Sequence, residues 1–237
     1  MDTFRIKGFQ SLTLLDYPGQ LAATVFTEGC NFRCPFCHNA SLVTGDGFGA
    51  YYEPEQVLAH LKKREGKLTG LCVSGGEPLL QPGLQAFLSQ VKALGYLVKL
   101  DTNGSFPDGL ELLLRKGLVD SVAMDVKNAP SRYAETAGLP PEAEEDILRR
   151  VTASIRVLRD SGADVEFRTT LVREFHRPED ILALGRWLTG SEPYFLQTFV
   201  DSGDVIAEGL TAYSAEEMEK FCRSMLPFLP KAALRGV

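Results

Sequence analysis

Apolar, β-branched runs and amphipathic stretches take turns along most of the chain. Six apolar runs stand out, at 21–27, 71–74, 96–101, 119–125, 165–172 and 194–200. Their length and composition predict strands. Helical periodicity follows at about 54–64, 82–94, 108–117, 142–161, 178–189 and 214–226. Pro54, Pro82 and Pro178 each stand where a first helical turn would begin, a position proline favours. Ser214, with Glu217 three residues on, reads as a capping box. Strand–helix alternation of this kind predicts an α/β fold, a parallel sheet with helical crossovers. Six units are too few for a closed eight-unit barrel, so an open sheet or incomplete barrel is expected. Residues 1–20, including "LTLLDYPG", read as a lead-in strand and turn. Residues 21–200 form the barrel core and 201–237 a C-terminal helical segment of the same domain. The stretch 128–145, rich in proline, predicts a mobile loop.

Composition narrows the function without naming it. The net charge of −6 gives no electrostatic footprint for nucleic acid. No run of about 18 apolar residues predicts a membrane span. The opening MDTFRIKGFQ lacks the apolar segment of a secretory signal, so a reducing cytoplasm is expected. Of five cysteines, three crowd into "EGCNFRCPFCHNA", residues 28–40. That is a poor disulfide framework, and in a reducing compartment it points to metal or redox chemistry. Cys72 and Cys222 read as small buried hydrophobes. His60 and His176 read as surface or loop residues, and Trp187 as core.

Parallel α/β folds gather function at the C-terminal ends of their strands. In the predicted register, the cysteines follow the first strand and Ser74-Gly75-Gly76-Glu77-Pro78 the second. The third ends in Asp101-Thr102-Asn103-Gly104 and the fourth in Asp125-Val126-Lys127. Arg168 lies in the fifth and Gln197 in the sixth. All would face one rim.

The cysteine spacing is C-x3-C-x2-C. A structural zinc needs four ligands. His38 directly follows Cys37 and would strain a shared tetrahedron, so zinc stays open only with a remote fourth ligand. A thioredoxin-like pair or a c-type haem at Cys34 and Cys37 leaves Cys30 without a role. A [4Fe–4S] cluster on Cys30, Cys34 and Cys37 fits best, because three thiolates leave one iron open to a non-protein ligand. Gly75 and Gly76 permit close backbone approach to a ligand. Glu77 would aim a carboxylate into the mouth of the sheet, suited to an ammonium group. Asp101, Thr102 and Asn103 suit sugar hydroxyls or a cation, or else a plain Asn-Gly turn. Asp101 and Asp125 would share a monovalent cation. Lys127 and Arg168 suit a carboxylate, with a structural salt bridge the alternative for Arg168.

These motifs together resemble the radical S-adenosylmethionine enzymes. The resemblance rests on C-x3-C-x2-C with Phe36 before the last cysteine, and on GGEP after the next strand. "CNFRCPFCHN" and "DVK" are closer to the glycyl-radical-enzyme activases. The opening "GFQSLTLLDYPGQLAATVFTEGCNFRCPFCHN" is most similar to activating proteins of anaerobic ribonucleoside-triphosphate reductase. The resemblance is strong over about residues 6–128 and thin beyond. It implies a partial (β/α)6 barrel with outer helices and a [4Fe–4S] cluster on the three cysteines. S-adenosylmethionine would chelate the fourth iron. Phe36 and His38 would lie along its adenine. Gly75, Gly76 and Glu77 would hold its amino group, and Asp125, Val126 and Lys127 would line its other side. The implied reaction cleaves that cofactor reductively to a 5′-deoxyadenosyl radical, which takes hydrogen from a backbone glycine of a partner enzyme. A flavodoxin- or ferredoxin-type protein would donate the electron. Pyruvate formate-lyase activases carry a histidine near the sixth strand. Here none follows His176, and Phe199 lies roughly at that place. Only Cys72 lies between the cysteine motif and GGEP, so one cluster is expected.

Overall fold

The computed structural model describes residues 4–45 and 49–236. Its first half runs β1 (Ile6–Thr13), β2 (Ala22–Thr27), α1 (Ala40–Thr44), α2 (Pro54–Lys63), β3 (Gly70–Gly75), α3 (Leu84–Ala93), β4 (Leu97–Thr102), α4 (Pro107–Arg115) and β5 (Ser121–Asp125). The second half runs α5 (Tyr133–Thr136), α6 (Glu144–Asp160), β6 (Asp164–Leu171), α7 (Pro178–Trp187), β7 (Tyr194–Thr198), α8 (Ala215–Met225) and β8 (Ala232–Arg235). The eight strands form one sheet in sequential order that does not close. β1 is antiparallel to β2, and every later strand runs parallel to its predecessor. The result is the expected partial barrel with a lead-in strand.

Side-chain alternation gives the sheet two unlike faces. Val25, Leu71, Val73, Val98, Leu100, Val122, Met124, Phe167 and Leu196 point one way and are all fully buried. They share one core with Leu88 and Val91 of α3, Leu110 of α4 and Ile155 of α6. The opposite face carries Ser74, Lys99, Asp101, Asp125, Glu166, Arg168, Gln197 and Arg235. Parallel sheets covered on both sides are usually apolar on both. Here the helices supply the core, and the concave face is left for polar work.

Pro54 and Pro178 open α2 and α7 as expected, and the Ser214–Glu217 capping box opens α8. Pro82 instead precedes α3, whose N-cap is Gly83. The C-terminal segment is not helical alone, since β8 adds a seventh parallel strand beside β7. The stretch 128–145 is packed rather than loose. It holds α5 between two 3-10 turns, at Pro130–Arg132 and Pro141–Ala143. Tyr133 and Ala137 are fully buried, and the Glu144 carboxylate accepts from Ala134 N at 2.8 Å. Among the described residues, no helix is long and apolar enough to cross a membrane.

Candidate functional site

Cys30, Cys34 and Cys37 line one cavity of about 280 Å³ at the C-terminal ends of the strands. The loop after β2 that carries them is held by segments distant in sequence. Arg33 N donates to Ala137 O at 2.9 Å, and Ala207 N donates to Pro35 O at 2.9 Å. Asn39 Nδ2 donates to Gly75 O at 2.9 Å. Ser41 donates through N and Oγ to the Asp204 carboxylate at 3.0 and 2.8 Å. Burial pushes the Cys30 thiol up to about 11 and the Cys34 thiol up to about 12, and it raises Cys37 as well. Lys127 acts against that rise at all three.

Gly75 and Gly76 pack loop against loop. Gly75 has φ +109, and a Cβ there would meet Thr27 N at 2.3 Å. A Cβ on Gly76 would lie 1.9 Å from Gly29 O. Gly76 N donates to Thr27 O at 2.9 Å and Glu77 N donates to Gly29 O at 2.8 Å. The GGEP turn is therefore zipped onto the start of the cysteine loop. Glu77 departs from expectation. Its side chain is fully buried, turned away from the cavity, and accepts from Leu79 N (3.0 Å), Thr102 Oγ1 (2.9 Å) and Asn103 N (2.7 Å). Those three donors take up most of the carboxylate's acceptor sites. Burial pushes Glu77 up to about 7 despite them.

The charged residues of the concave face pair with one another. Arg168 Nε donates to Asp125 Oδ1 at 2.9 Å, and its other nitrogens lie 3.6 Å from Asp101 and 3.9 Å from Glu166. Arg235 binds Glu166 through two bonds of 2.9 Å. Asp101 also contacts Lys99 and accepts from Ser74 Oγ at 3.0 Å. Burial alone would raise Asp125, but Arg168 and Lys127 outweigh it and hold the carboxyl at about 2. The guanidinium of Arg168 thus bridges the two aspartates where the sequence suggests a shared cation. Lys127 is held more loosely, 3.5 Å from Asp125.

Phe36, His38, Thr102 and Asn103 line the cavity. Phe36 is buried against Phe175 (5.8 Å) and His176 (5.9 Å). His38 is exposed at the rim, stacked on Phe199 at 5.6 Å, and bonded through Nε2 to Val200 O at 2.8 Å. Val126 is fully buried and does not line the cavity, because alternation turns it to the core. His176 is no surface residue. It is fully buried, with Nε2 2.8 Å from Lys127 O, and so fixes the backbone of the lysine. Trp187 packs edge-on to Tyr133 at 6.0 Å. Cys72 is fully buried, and Cys222 is half-buried on α8. Sequence reasoning passed over Asn31, Asn39, Lys99 and Glu166. The polar beat within "VKLDT" and "VEFRTT" was the available signal for Lys99 and Glu166.

Known proteins match this chain across most of its length. The family description "Radical SAM superfamily" matches residues 24–185. A Methanocaldococcus jannaschii protein named as a glycyl-radical enzyme activating enzyme is 31% identical over 195 residues, spanning 82% of this chain and 79% of the relative. The pyruvate formate-lyase-activating enzyme of Clostridium pasteurianum is 26% identical and spans 94% of this chain and 98% of its own. A radical SAM methyltransferase from Sphaerobacter thermophilus shares the fold at 19% identity, with a TM-score of 0.69 over 93% of this chain and 67% of that one. This chain belongs to the radical SAM superfamily and groups with its glycyl-radical enzyme activating enzymes.

Proposed function

We propose that the protein installs a glycyl radical on an anaerobic ribonucleoside-triphosphate reductase. The observation that carries this reading is the joint lining of one cavity by Cys30, Cys34 and Cys37 with Gly75, Gly76 and Lys127. The thiols fit a [4Fe–4S] cluster. They share one cavity, and thiolates are the usual ligands of such a cluster. A cluster takes each thiolate on a separate iron, so its ligands surround a body rather than a point. When bound, such a cluster would supply the electron for reductive cleavage of S-adenosylmethionine and so the hydrogen-abstraction chemistry.

The chain's own residues bind, orient and shelter. Lys127 adds positive charge beside the thiolates, which opposes their burial cost. Gly75 and Gly76 line the cavity with backbone that would meet the cofactor's amino group, while their missing side chains let the turn pack on the cysteine loop. Lys127 is the better partner for its carboxylate, because Arg168 is already engaged by Asp125, Asp101 and Glu166. His38 and Phe36 flank the cavity on the side assigned to the adenine. Asp101, Thr102, Asn103 and Asp125 line the same cavity. The unclosed sheet leaves one side of the barrel without a strand, the side from which a protein loop would approach. Phe199 stands on His38 where a pyruvate formate-lyase activase would have its histidine, which favours the reductase as partner.

Anaerobic reconstitution tests the reading. Four irons per chain, cleavage of S-adenosylmethionine by reduced protein, and a glycyl radical signal on the purified reductase are the expected results. A flavodoxin or ferredoxin should replace the chemical reductant. Cleavage without any radical on the reductase would overturn the partner, and failure to bind iron would overturn the chemistry.

A further inference from the structure

We propose that Asn103 is a positioning residue that sets the cluster's reduction potential through its side-chain amide bond to Cys30 Sγ. The inference rests on the cluster reading above and goes beyond it. Asn103 follows β4 and is 6% exposed. Its Nδ2 lies 3.7 Å from Cys30 Sγ and 3.0 Å from Asn31 Oδ1. Among the described residues, Cys30 is the one cysteine of the motif whose sulfur accepts from a side chain. Phe32 N adds a backbone donor at 3.3 Å.

The amide cannot turn over. Its Oδ1 accepts from Ser105 N at 2.9 Å and from Ser105 Oγ at 2.6 Å. Asn31 Nδ2 donates in turn to Ser105 Oγ at 2.9 Å, which closes a ring of three side chains. The backbone is equally fixed, with Asn103 N donating to Glu77 Oε2 at 2.7 Å and Ser154 Oγ donating to Gly104 O at 2.7 Å. So the N–H bonds face Cys30 and Asn31 by necessity. This accounts for the burial of Glu77, which anchors the residue that addresses the sulfur.

Hydrogen bonds to a cluster's sulfurs are among the levers that set its potential. A donor draws charge from the thiolate and favours the state with the extra electron. Removing it shifts the potential downward, and a given donor then reduces a smaller fraction of the protein.

The test is an EPR-monitored redox titration of reconstituted Asn103→Asp and Asn103→Leu proteins, with iron counted in each. Aspartate keeps an acceptor for Ser105 and replaces the donor with charge, whereas leucine keeps the size and removes both. Both variants should hold four irons and titrate at a more negative potential than wild type. Ser154→Ala is the control, since it loosens the same turn without touching the sulfur, and it should titrate with wild type. An unmoved potential in both Asn103 variants overturns the proposal. So does an equal shift in Ser154→Ala, or loss of iron from both variants while they stay folded. Wild type that binds no iron would instead sink the underlying cluster reading, which separates the two failures.

Discussion

His176 is the residue whose environment the sequence hides most fully. Val172 N lies 3.1 Å from its Nδ1, so that nitrogen accepts and the proton sits on Nε2, facing Lys127 O. A second proton on Nδ1 would displace the Val172 N–H and turn to Val172 O, 3.2 Å away, but burial outweighs that carbonyl and Lys127 O and holds the imidazole below its usual range. The unfolded chain therefore binds this proton more readily than the folded one. Stability tied to His176 is present above the ordinary histidine value of about 6.5 and is lost as pH falls through the depressed folded value. His176→Gln keeps a donor and an acceptor but does not titrate. Thermal unfolding of the iron-free protein at pH 5.5 and 7.5 should show a smaller acid loss for that variant than for wild type; equal losses would refute the assignment. Glu77 gives a second case. Glu77→Ala strips three buried donors of their acceptor and should cost about 3 kcal/mol by denaturant midpoint, against about 1 kcal/mol for Glu77→Gln. Similar costs for both would show that the carboxylate braces nothing. The letters GGEP announce a turn. They do not say which way its glutamate points, because the deciding donors, Thr102 and Asn103, lie at the end of another strand.

Elements were legible where their period ran long enough to show. The six strands and six long helices carry apolar positions at the spacing their geometry needs. What was missed is short. α5 has four residues and β8 four, barely one helical turn and two strand repeats, too few to show a periodic pattern. Prolines at 130, 140 and 141 spell a loop, although Pro130 and Pro141 each open a 3-10 turn that presses Tyr133 and Ala137 inward. The glycine pair of the GGEP turn was legible as a close approach, but the approach proves to be to the cysteine loop's backbone. Gly76→Ala would place a methyl carbon 1.9 Å from Gly29 O, and no side-chain rotation relieves a backbone clash. We expect a loss of roughly 3 kcal/mol or more in stability and lower iron content on reconstitution. A Gly76→Ala protein with wild-type melting and full iron would show that the two loops do not depend on one another.

At the scale of the molecule, the core and the site lie on opposite faces of one sheet. The helices bury the outer face, so the fold does not need its concave side to be apolar, and that side is free to hold charge. Arg168 joins Asp125, Asp101 and Glu166 across it, a network no single motif discloses because its members come from β4, β5 and β6. The cysteine loop is likewise tied down by protein alone, through Gly29 N to Leu42 O, Arg33 N to Ala137 O and Ala207 N to Pro35 O. This arrangement separates the protein from small metal-dependent domains that unfold without their ion. Iron removal by a chelator should leave the far-UV circular dichroism unchanged and lower the melting temperature, since a ligand that binds only the folded chain stabilises it by mass action. Faster hydrogen exchange should be confined to residues 28–44 and to the segments that brace them, 128–139 and 199–207. The strands β3, β4 and β5, whose apolar side packs under the helices, should exchange as slowly as before. Global unfolding on chelation would mean that the metal, rather than the helix-covered face, holds the sheet together, and the division of labour between the two faces would be wrong.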